Sequence, residues 1–582
     1  MFFRLKISGP RKYLQIVQNY WDKQKKKTRQ RVIATLGKAD QLKESGELNS
    51  LIASAQRFSD KLLVLSAHQK GEAIKVSARH LGPLLVFERL WEESGCRKVL
   101  NDLLAQRCFE FNMEGAIFLS VLHRLLNSGS DRHCKMWMKD FGVENCQGLK
   151  LHHLYRAMMW LGETLVKEED VDGVIPFCRR CTKDQVEEKL FNQRRDLFSS
   201  LEVVFFDTTS IYFEGEGGED LGQYGHSKDH RPDRKQLIVG AILDQEGHPV
   251  CCEIWPGNTA DVKSLVPIVK RLQKRFRISQ VCIVADRGMI SKEVLEWLES
   301  EKWPYIIGVR MRKQQEVNEE VLCQGDDYKE IEIKKKTKKK NKKDDNKIDN
   351  SNGTNGTNGM KSTGTLKIKE VRVESRRYIV CLNEEQARKD AFDREAILES
   401  LQERLKQGEK SLIGNKGYRK YLKVADRVRD EKDKAFEIDL QKIKDEERYD
   451  GKWVLRTNTD FDAEQVALKY KELWMVEEIF RSMKSLINTR PIYHRSSRAI
   501  RGHVFCSFLA LILIKELRKR MEEKGLDYEW QEVLLELNRL EEVEIEKDGK
   551  SFVIITDRSE CCREVCNAVG VAIPPAFRQV SM

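Results

Sequence analysis

Two apolar runs in this chain end on aspartate. Val203-Val204-Phe205-Phe206 leads to Asp207, and Val281-Cys282-Ile283-Val284-Ala285 leads to Asp286. A short, continuous apolar run reads as a buried strand. Two such strands, adjacent and parallel, would bring both carboxylates together at their carboxyl ends, where open α/β sheets bind ligands. Neighbouring carboxylates repel unless a cation sits between them. Magnesium, a hard ion that prefers oxygen ligands, suits that place, with manganese as the alternative. A single strand-end aspartate is more often a turn former or a helix cap; the pair, within the order of elements that surrounds it, favours metal binding.

A third acid is expected from a helix near 463–487. Leu473, Val476, Phe480, Met483 and Ile487 recur at spacings of three and four and form one apolar stripe. At about 100° per residue, Glu477 falls roughly 80° from the centre of that stripe, and Glu478 about 180° away, towards solvent. Glu477 is therefore the better candidate to lean into a cleft at the sheet end. Tyr470 and Lys484 stand seven residues before and after it, on nearly the same line. Such a strip is also what the polar shoulder of an ordinary amphipathic helix looks like.

The elements that must position these acids follow from the hydrophobic pattern. After the first run comes a Gly-rich charged loop, 214–234, then strands over 236–243 and 249–255 joined by the turn Asp244-Gln245-Glu246-Gly247. Helical spacing covers 261–276, the second run follows, Ser291 caps a helix through Leu298, and 305–309 reads as a further strand. The order strand, strand, strand, helix, strand, helix, strand is that of a ribonuclease-H-like α/β core still lacking its final helix, which arrives at 463–487. Between them, 311–455 is expected to be a mixed, mainly β insertion. Its Lys/Asn/Gly-rich part, 334–365, cannot bury enough surface to offset its ordering entropy and is expected to be disordered.

These segments resemble the DDE transposases of bacterial and archaeal insertion sequences, in the long-chain part of the group called insertion-sequence family four. The resemblance is carried by Phe206-Asp207-Thr208-Thr209-Ser210, by Ala285-Asp286-Arg287-Gly288-Met289, and by Trp474 to Phe480 with Lys484. Gly225 to Asp233 and Gly257-Asn258-Thr259-Ala260-Asp261 are similar to the same group. The family's Tyr, Arg, Glu, Lys signature is matched by Tyr470, Glu477 and Lys484, whereas Leu473 stands where Arg belongs. Arg481 or a loop residue would have to replace that contact.

The resemblance implies two metal ions per active site, held by Asp207, Asp286 and Glu477, which activate water on one side of the scissile phosphate and stabilise the leaving oxygen on the other. It implies cut-and-paste transposition through a hairpin intermediate. Tyr470, Lys484 and Arg481 would hold the phosphate, and Lys228, His230 and Arg231 the DNA backbone. The partners implied are double-stranded DNA (terminal inverted repeats and target) and a second copy of the chain, as a homodimer in the synaptic complex. Two other readings use the same core: a metal-dependent nuclease without strand transfer, and an inactive DNA-binding derivative.

Composition is consistent with these expectations. The chain has 582 residues, 34% of them charged, and a net charge of +12, which fits nucleic acid without proving it. Fifteen irregularly spaced cysteines argue against a disulfide framework. The N-terminus lacks signal-peptide character, and the longest apolar run, Val504 to Ile514, is too short for a bilayer. A prokaryotic cytoplasmic, nucleoid-associated protein with no membrane contact is expected. No Walker loop or dinucleotide fingerprint points to a nucleotide cofactor. The expected segments are a strand-containing start (1–60), a helical DNA-binding or interaction region (61–195), the first part of the core (196–310), the insertion (311–455), the final core helices (456–520) and a C-terminal region (521–582).

Overall fold

The computed structural model describes residues 1–22, 27–45, 75–105, 107–143, 145–165, 179–195, 201–278, 281–325, 327–334, 363–407, 420–424, 436–547, 550–556 and 558–580, with a few single residues between these stretches. They form two compact units.

The first unit contains Met1–Val86, Asp140–Gly142 and Leu526–Met582. Strands Phe2–Ser8, Arg11–Asp22 and Lys27–Lys38 make an antiparallel sheet, its first turn closed by Gly9 at φ +61°. A second sheet pairs Lys75–His80 with Glu541–Lys547, so strands from both ends of the sequence share one layer.

The second unit is built on a mixed sheet to which, among the described residues, nine strands contribute. They are β1 (Val203–Tyr212), β2 (Gln236–Leu243), β3 (Pro249–Pro256), β4 (Cys282–Ala285), β5 (Tyr305–Gly308), β6 (Lys329–Lys334), β7 (Thr363–Val373), β8 (Arg376–Leu382) and β9 (Lys452–Thr457). The order across the sheet is β6-β7-β8-β9-β5-β4-β1-β2-β3. β1 runs parallel to β4, and β4 to β5, while every other pairing is antiparallel. The strands of the insertion thus lengthen the main sheet at one edge. Lys334 and Thr363 to Thr365 lie in β6 and β7, so strand pairing reaches into both ends of the stretch expected to be disordered; the rest of that stretch lies outside the described residues.

Helices cover both faces. Those that bear on the site are α1 (Met113–Leu126), α2 (Leu151–Leu161), α3 (Leu265–Phe276), α4 (Lys292–Ser300), α5 (Ala463–Lys471), α6 (Trp474–Arg481) and α7 (Ser497–Glu523). On one face Val204, Phe206, Ile283 and Ala285 pack with Leu265, Val269, Leu272 and Leu298 of α3 and α4, each fully buried apolar side chain contributing roughly 1.5–3 kcal/mol. α5 and α6 cover the other face, and α7 packs on β3, α1 and α2. α4 starts where Ser291 accepts the Val294 amide, and α5 where Asp462 and Gln465 form a capping box. α7 is long and apolar enough to cross a membrane by composition, but Val504 to Ile514 are all buried inside the unit. The fourteen described cysteines are free thiols.

Candidate active site

Alternation along the strands decides where the acids point. Phe206 of β1 and Ala285 of β4 are register partners and pack under α3 and α4. Asp207, one residue further along β1, and Asp286, the first residue past the end of β4, therefore lie towards the opposite side, under α5 and α6. One expectation needs correction: β1 does not end at Asp207. It continues to Tyr212 because β2 pairs with it from Phe205 to Tyr212, while the parallel pairing with β4 stops at Phe206. Asp207 thus lies where the sheet opens between β1 and β4. Asp286 is the first residue after β4 and precedes the short turn Arg287–Met289.

The charge balance around Asp207 is unfavourable to its ionised form. Burial pushes the carboxyl up to about 6, and Asp286 and Asp261 add to the rise, against the opposing pull of the Lys228 ammonium and the Thr208 amide. That amide donates to Asp207 Oδ1 at 2.7 Å. Hard oxygen donors that destabilise one another in this way fit a divalent cation well.

Asp261 is a neighbour that the sequence reading did not place in the site. It accepts from Thr208 Oγ1 at 2.7 Å, and its other oxygen lies 3.1 Å from Lys228 Nζ. Lys228 Nζ also donates to the Thr208 carbonyl and hydroxyl, at 2.8 and 2.9 Å. Lys228 is therefore bound into the acid cluster. In the sequence Asp261 reads as the start of the helical spacing over 261–276 and as the last residue of the family-like segment Gly257 to Asp261, neither of which marks it as a member of the acid cluster.

Tyr470, on α5, donates its hydroxyl to Asp286 Oδ1 at 3.1 Å. Burial first, and then the Asp286 charge, push its phenol far up, so it stays a donor at any working pH. Gly308 makes room for the ring: a Cβ there would sit 3.1 Å from Tyr470 Cζ and closer still to the hydroxyl. Gly308→Ala is accordingly expected to break the Tyr470–Asp286 hydrogen bond and lower DNA cleavage roughly tenfold, a loss of about 1.4 kcal/mol at the barrier. Steady-state cleavage rates beside a circular dichroism spectrum check this; unchanged cleavage would remove Tyr470 from the site.

The expected continuous helix over 463–487 is broken. α5 ends at Lys471, α6 starts at Trp474, and 482–486 is a π turn. On α6, Val476, Ile479 and Phe480 are buried. Glu478 pairs with Arg518 of α7 at 2.8 Å and lines a cavity with Glu246 and Lys515, on the far flank. Glu477 is exposed and has no hydrogen bond or ion pair with a described residue. It stands between Tyr470, which touches Asp286, and Lys484, which donates to Asp229 at 2.7 Å. Leu473 is buried, which leaves no place for a guanidinium there. Arg481 is exposed at the end of α6, and His230 is exposed with φ +55°. Arg231 forms a two-pronged pair with Asp233, both contacts at 2.9 Å. Arg490, unremarked in the sequence, ion-pairs with Asp229 beside Lys484. A loop arginine carries no periodic signal, which explains the omission.

A second polar cluster, Asp131, His494 and His503, has metal-like ligand spacing. The buried Arg124 guanidinium already occupies it, donating to His503 Nδ1 at 3.0 Å and lying 3.7 Å from Asp131. His503 Nε2 is taken by the Thr489 carbonyl at 3.0 Å. This cluster fastens α1 to α7 and is chemically distinct from the carboxylate site.

Residues 199–513 match the family model described as the transposase DDE domain, and residues 4–69 match that of the N-terminal domain of IS1634 family transposases. No curated protein matches the chain. Among solved structures, similarity extends to a piggyBac transposase synaptic complex with hairpin DNA, at 12% identity and TM-score 0.33 over 78% of this chain and 79% of that one. It extends also to a Mos1 transposase paired-end complex with the left transposon end, at 14% identity and TM-score 0.14 over 34% and 60% of the two chains. A Mos1 mariner paired-end complex with Mn gives 13% identity and TM-score 0.14 over 37% and 65%.

Proposed function

The chain belongs to the family of insertion-sequence transposases with a DDE domain, and from that premise we propose that Asp207, Asp286 and Glu477 are its three catalytic acids on a ribonuclease-H-like core. DNA cleavage and strand transfer, dependent on divalent metal, are the family's activity. The observation that carries the residue assignment is the convergence of Asp207 and Asp286 on one sheet face, with the Tyr470 hydroxyl bonded to Asp286 and Glu477 on the helix above. The strand order β3-β2-β1-β4-β5, with helices on both faces, supports the core assignment.

The carboxylates of Asp207, Asp286 and Glu477 would hold two magnesium ions. The chemistry bound divalent ions supply is activation of the attacking oxygen and neutralisation of the leaving one. The chain's own groups do the rest. Tyr470 fixes the orientation of Asp286, the Lys228–Asp261–Thr208 bonds fix the neighbouring strand, and Lys484 presents a point charge to a phosphate. Water attack in line at an element end would free a 3′-hydroxyl. That hydroxyl would then attack the opposite strand to form a hairpin, which a second water opens before joining to target DNA. Two inverted-repeat ends must be joined together, so a homodimer is the working assembly, acting at the nucleoid of a prokaryotic cytoplasm.

Incubating the full chain with labelled element-end DNA and magnesium tests this. A hairpin whose two strands do not separate under denaturing conditions, followed by joined products, is expected. Nicked DNA alone, with neither hairpin nor joining, would favour a nuclease without strand transfer.

A further inference from the structure

The environment of Asp229 is unusual. Its side chain is 3% exposed, and one oxygen, Oδ1, receives both Lys484 Nζ and a guanidinium nitrogen of Arg490. The other oxygen is buried without a hydrogen-bond partner. One carboxylate thus serves two cations and leaves a local excess of positive charge. Arg490 and Arg231 both lie over the Tyr212 ring, at 5.8 and 5.3 Å from its centroid. The Arg490 loop is pinned there by backbone pairing of Ile492 with the end of β1.

These groups form a line. Lys228 meets β1 at Thr208, next to Asp207, and Arg231 and Arg490 meet it at Tyr212. The four steps of strand from Thr208 to Tyr212 span about 14 Å, the axial rise of about four base pairs of duplex. Arg231 is already paired with the exposed Asp233, but a surface pair so open to water is weak and easily exchanged.

We infer that Arg490 and Lys484 form a backbone-phosphate site on a cation track running from the acid cluster along β1, and that Asp229 is the buried place-holder anion which a DNA phosphate supplements. The inference extends the proposed function by adding Arg490 and Asp229 to it, and it takes double-stranded DNA as the partner. A place-holder lowers affinity in exchange for keeping two cations together when no DNA is bound, so its removal has a distinctive sign. A purely structural Asp229 would lose binding when neutralised, because its cations would scatter.

The test is equilibrium binding of the full chain to a 30-base-pair duplex of arbitrary sequence, in EDTA, over 50 to 200 mM KCl. Each phosphate contact contributes about 0.9 to the slope of log affinity against log salt, which is roughly fivefold in affinity at 0.15 M. Arg490→Met is expected to weaken binding about fivefold and reduce the slope by about 0.9. Asp229→Asn is expected to tighten binding by a similar factor and steepen the slope. Lys292→Met, an exposed cation on α4, should change the slope no more than repeat measurements differ. Unchanged slope in Arg490→Met, or weaker binding in an Asp229→Asn protein with a parental circular dichroism spectrum, would overturn the inference. If Asp229→Asn does not fold, the Arg490→Met slope alone decides. Without metal no cleavage occurs, so failure here leaves the assignment of the three acids standing, and failure of that assignment leaves the binding result intact.

Discussion

Glu477→Gln is expected to abolish magnesium-dependent cleavage of element-end DNA, by a factor of roughly 10³ or more, while Glu478→Gln stays within about threefold of the parent. A factor of 10³ is about 4 kcal/mol of barrier, the scale on which loss of a charged metal ligand acts. The two residues are neighbours of the same type, so composition and intrinsic helix preference cannot separate them. Geometry does. Glu478 is tied to Arg518 at 2.8 Å, with both side chains about 40% exposed, and a pair so open to water contributes at most about 1 kcal/mol. Its amide replacement still accepts a hydrogen bond from Arg518. Glu477 has no partner among the described residues and lies in sequence between Tyr470, which bonds Asp286, and Lys484, which bonds Asp229. An unpaired acid between two ends of an active site is free to take a metal; a paired one on the far flank is not. Single-turnover cleavage with the two variants side by side settles the choice. Equal loss in both, or loss confined to Glu478→Gln, would remove Glu477 from the triad.

How much of this was legible beforehand differs between residues for physical reasons. Asp207 and Asp286 are announced by buried-strand runs, and period-two alternation then fixes that they share a face once the register is known. The continuation of β1 past Asp207 was hidden because Thr208, Thr209 and Ser210 are polar yet buried. At least two of them are satisfied by partners distant in sequence: Thr208 by Asp261 and Lys228, and Ser210 by the Lys228 amide. The break between α5 and α6 involves Glu472 and Leu473, neither of which is a helix breaker, so no local signal marks it. The extension of the sheet by β6, β7 and β8 depends on β9 reaching β5 across some 150 positions of sequence, a non-local pairing no window of residues contains. Arg490 reaches the site by the same kind of event, the pairing of Ile492 with β1. Elements with a period were readable, and contacts between loops were not.

Asp207→Asn is expected to make the metal-free protein more stable at pH 8 and catalytically dead, two effects with one electrostatic origin. In an unfolded chain an aspartate ionises near 3.9, whereas burial and the neighbouring Asp286 and Asp261 hold this one at about 6. The folded state therefore binds the proton more tightly than the unfolded state does. The stability this contributes is complete below about pH 4 and is lost as pH rises through about 6. Above that, the metal-free fold carries an ionised, crowded carboxylate at a cost of at most about 3 kcal/mol. Asparagine carries no such charge. In EDTA at pH 8 the variant's melting temperature should exceed the parent's by a few degrees, and the gap should close as the pH falls towards 4. Added magnesium should raise the parent's melting temperature, because a ligand that binds only the folded state stabilises it, and should move that of the Asp207→Asn protein much less. Cleavage should fall by roughly 10³ because a metal-binding oxygen has lost its charge. A variant less stable than the parent at pH 8 without metal, or a gap that does not narrow in acid, would mean that Asp207 is held by contacts the charge argument ignores. The site would then be a packed structural corner, and its poor tolerance of its own charge could no longer be taken as the sign of a place kept for a cation.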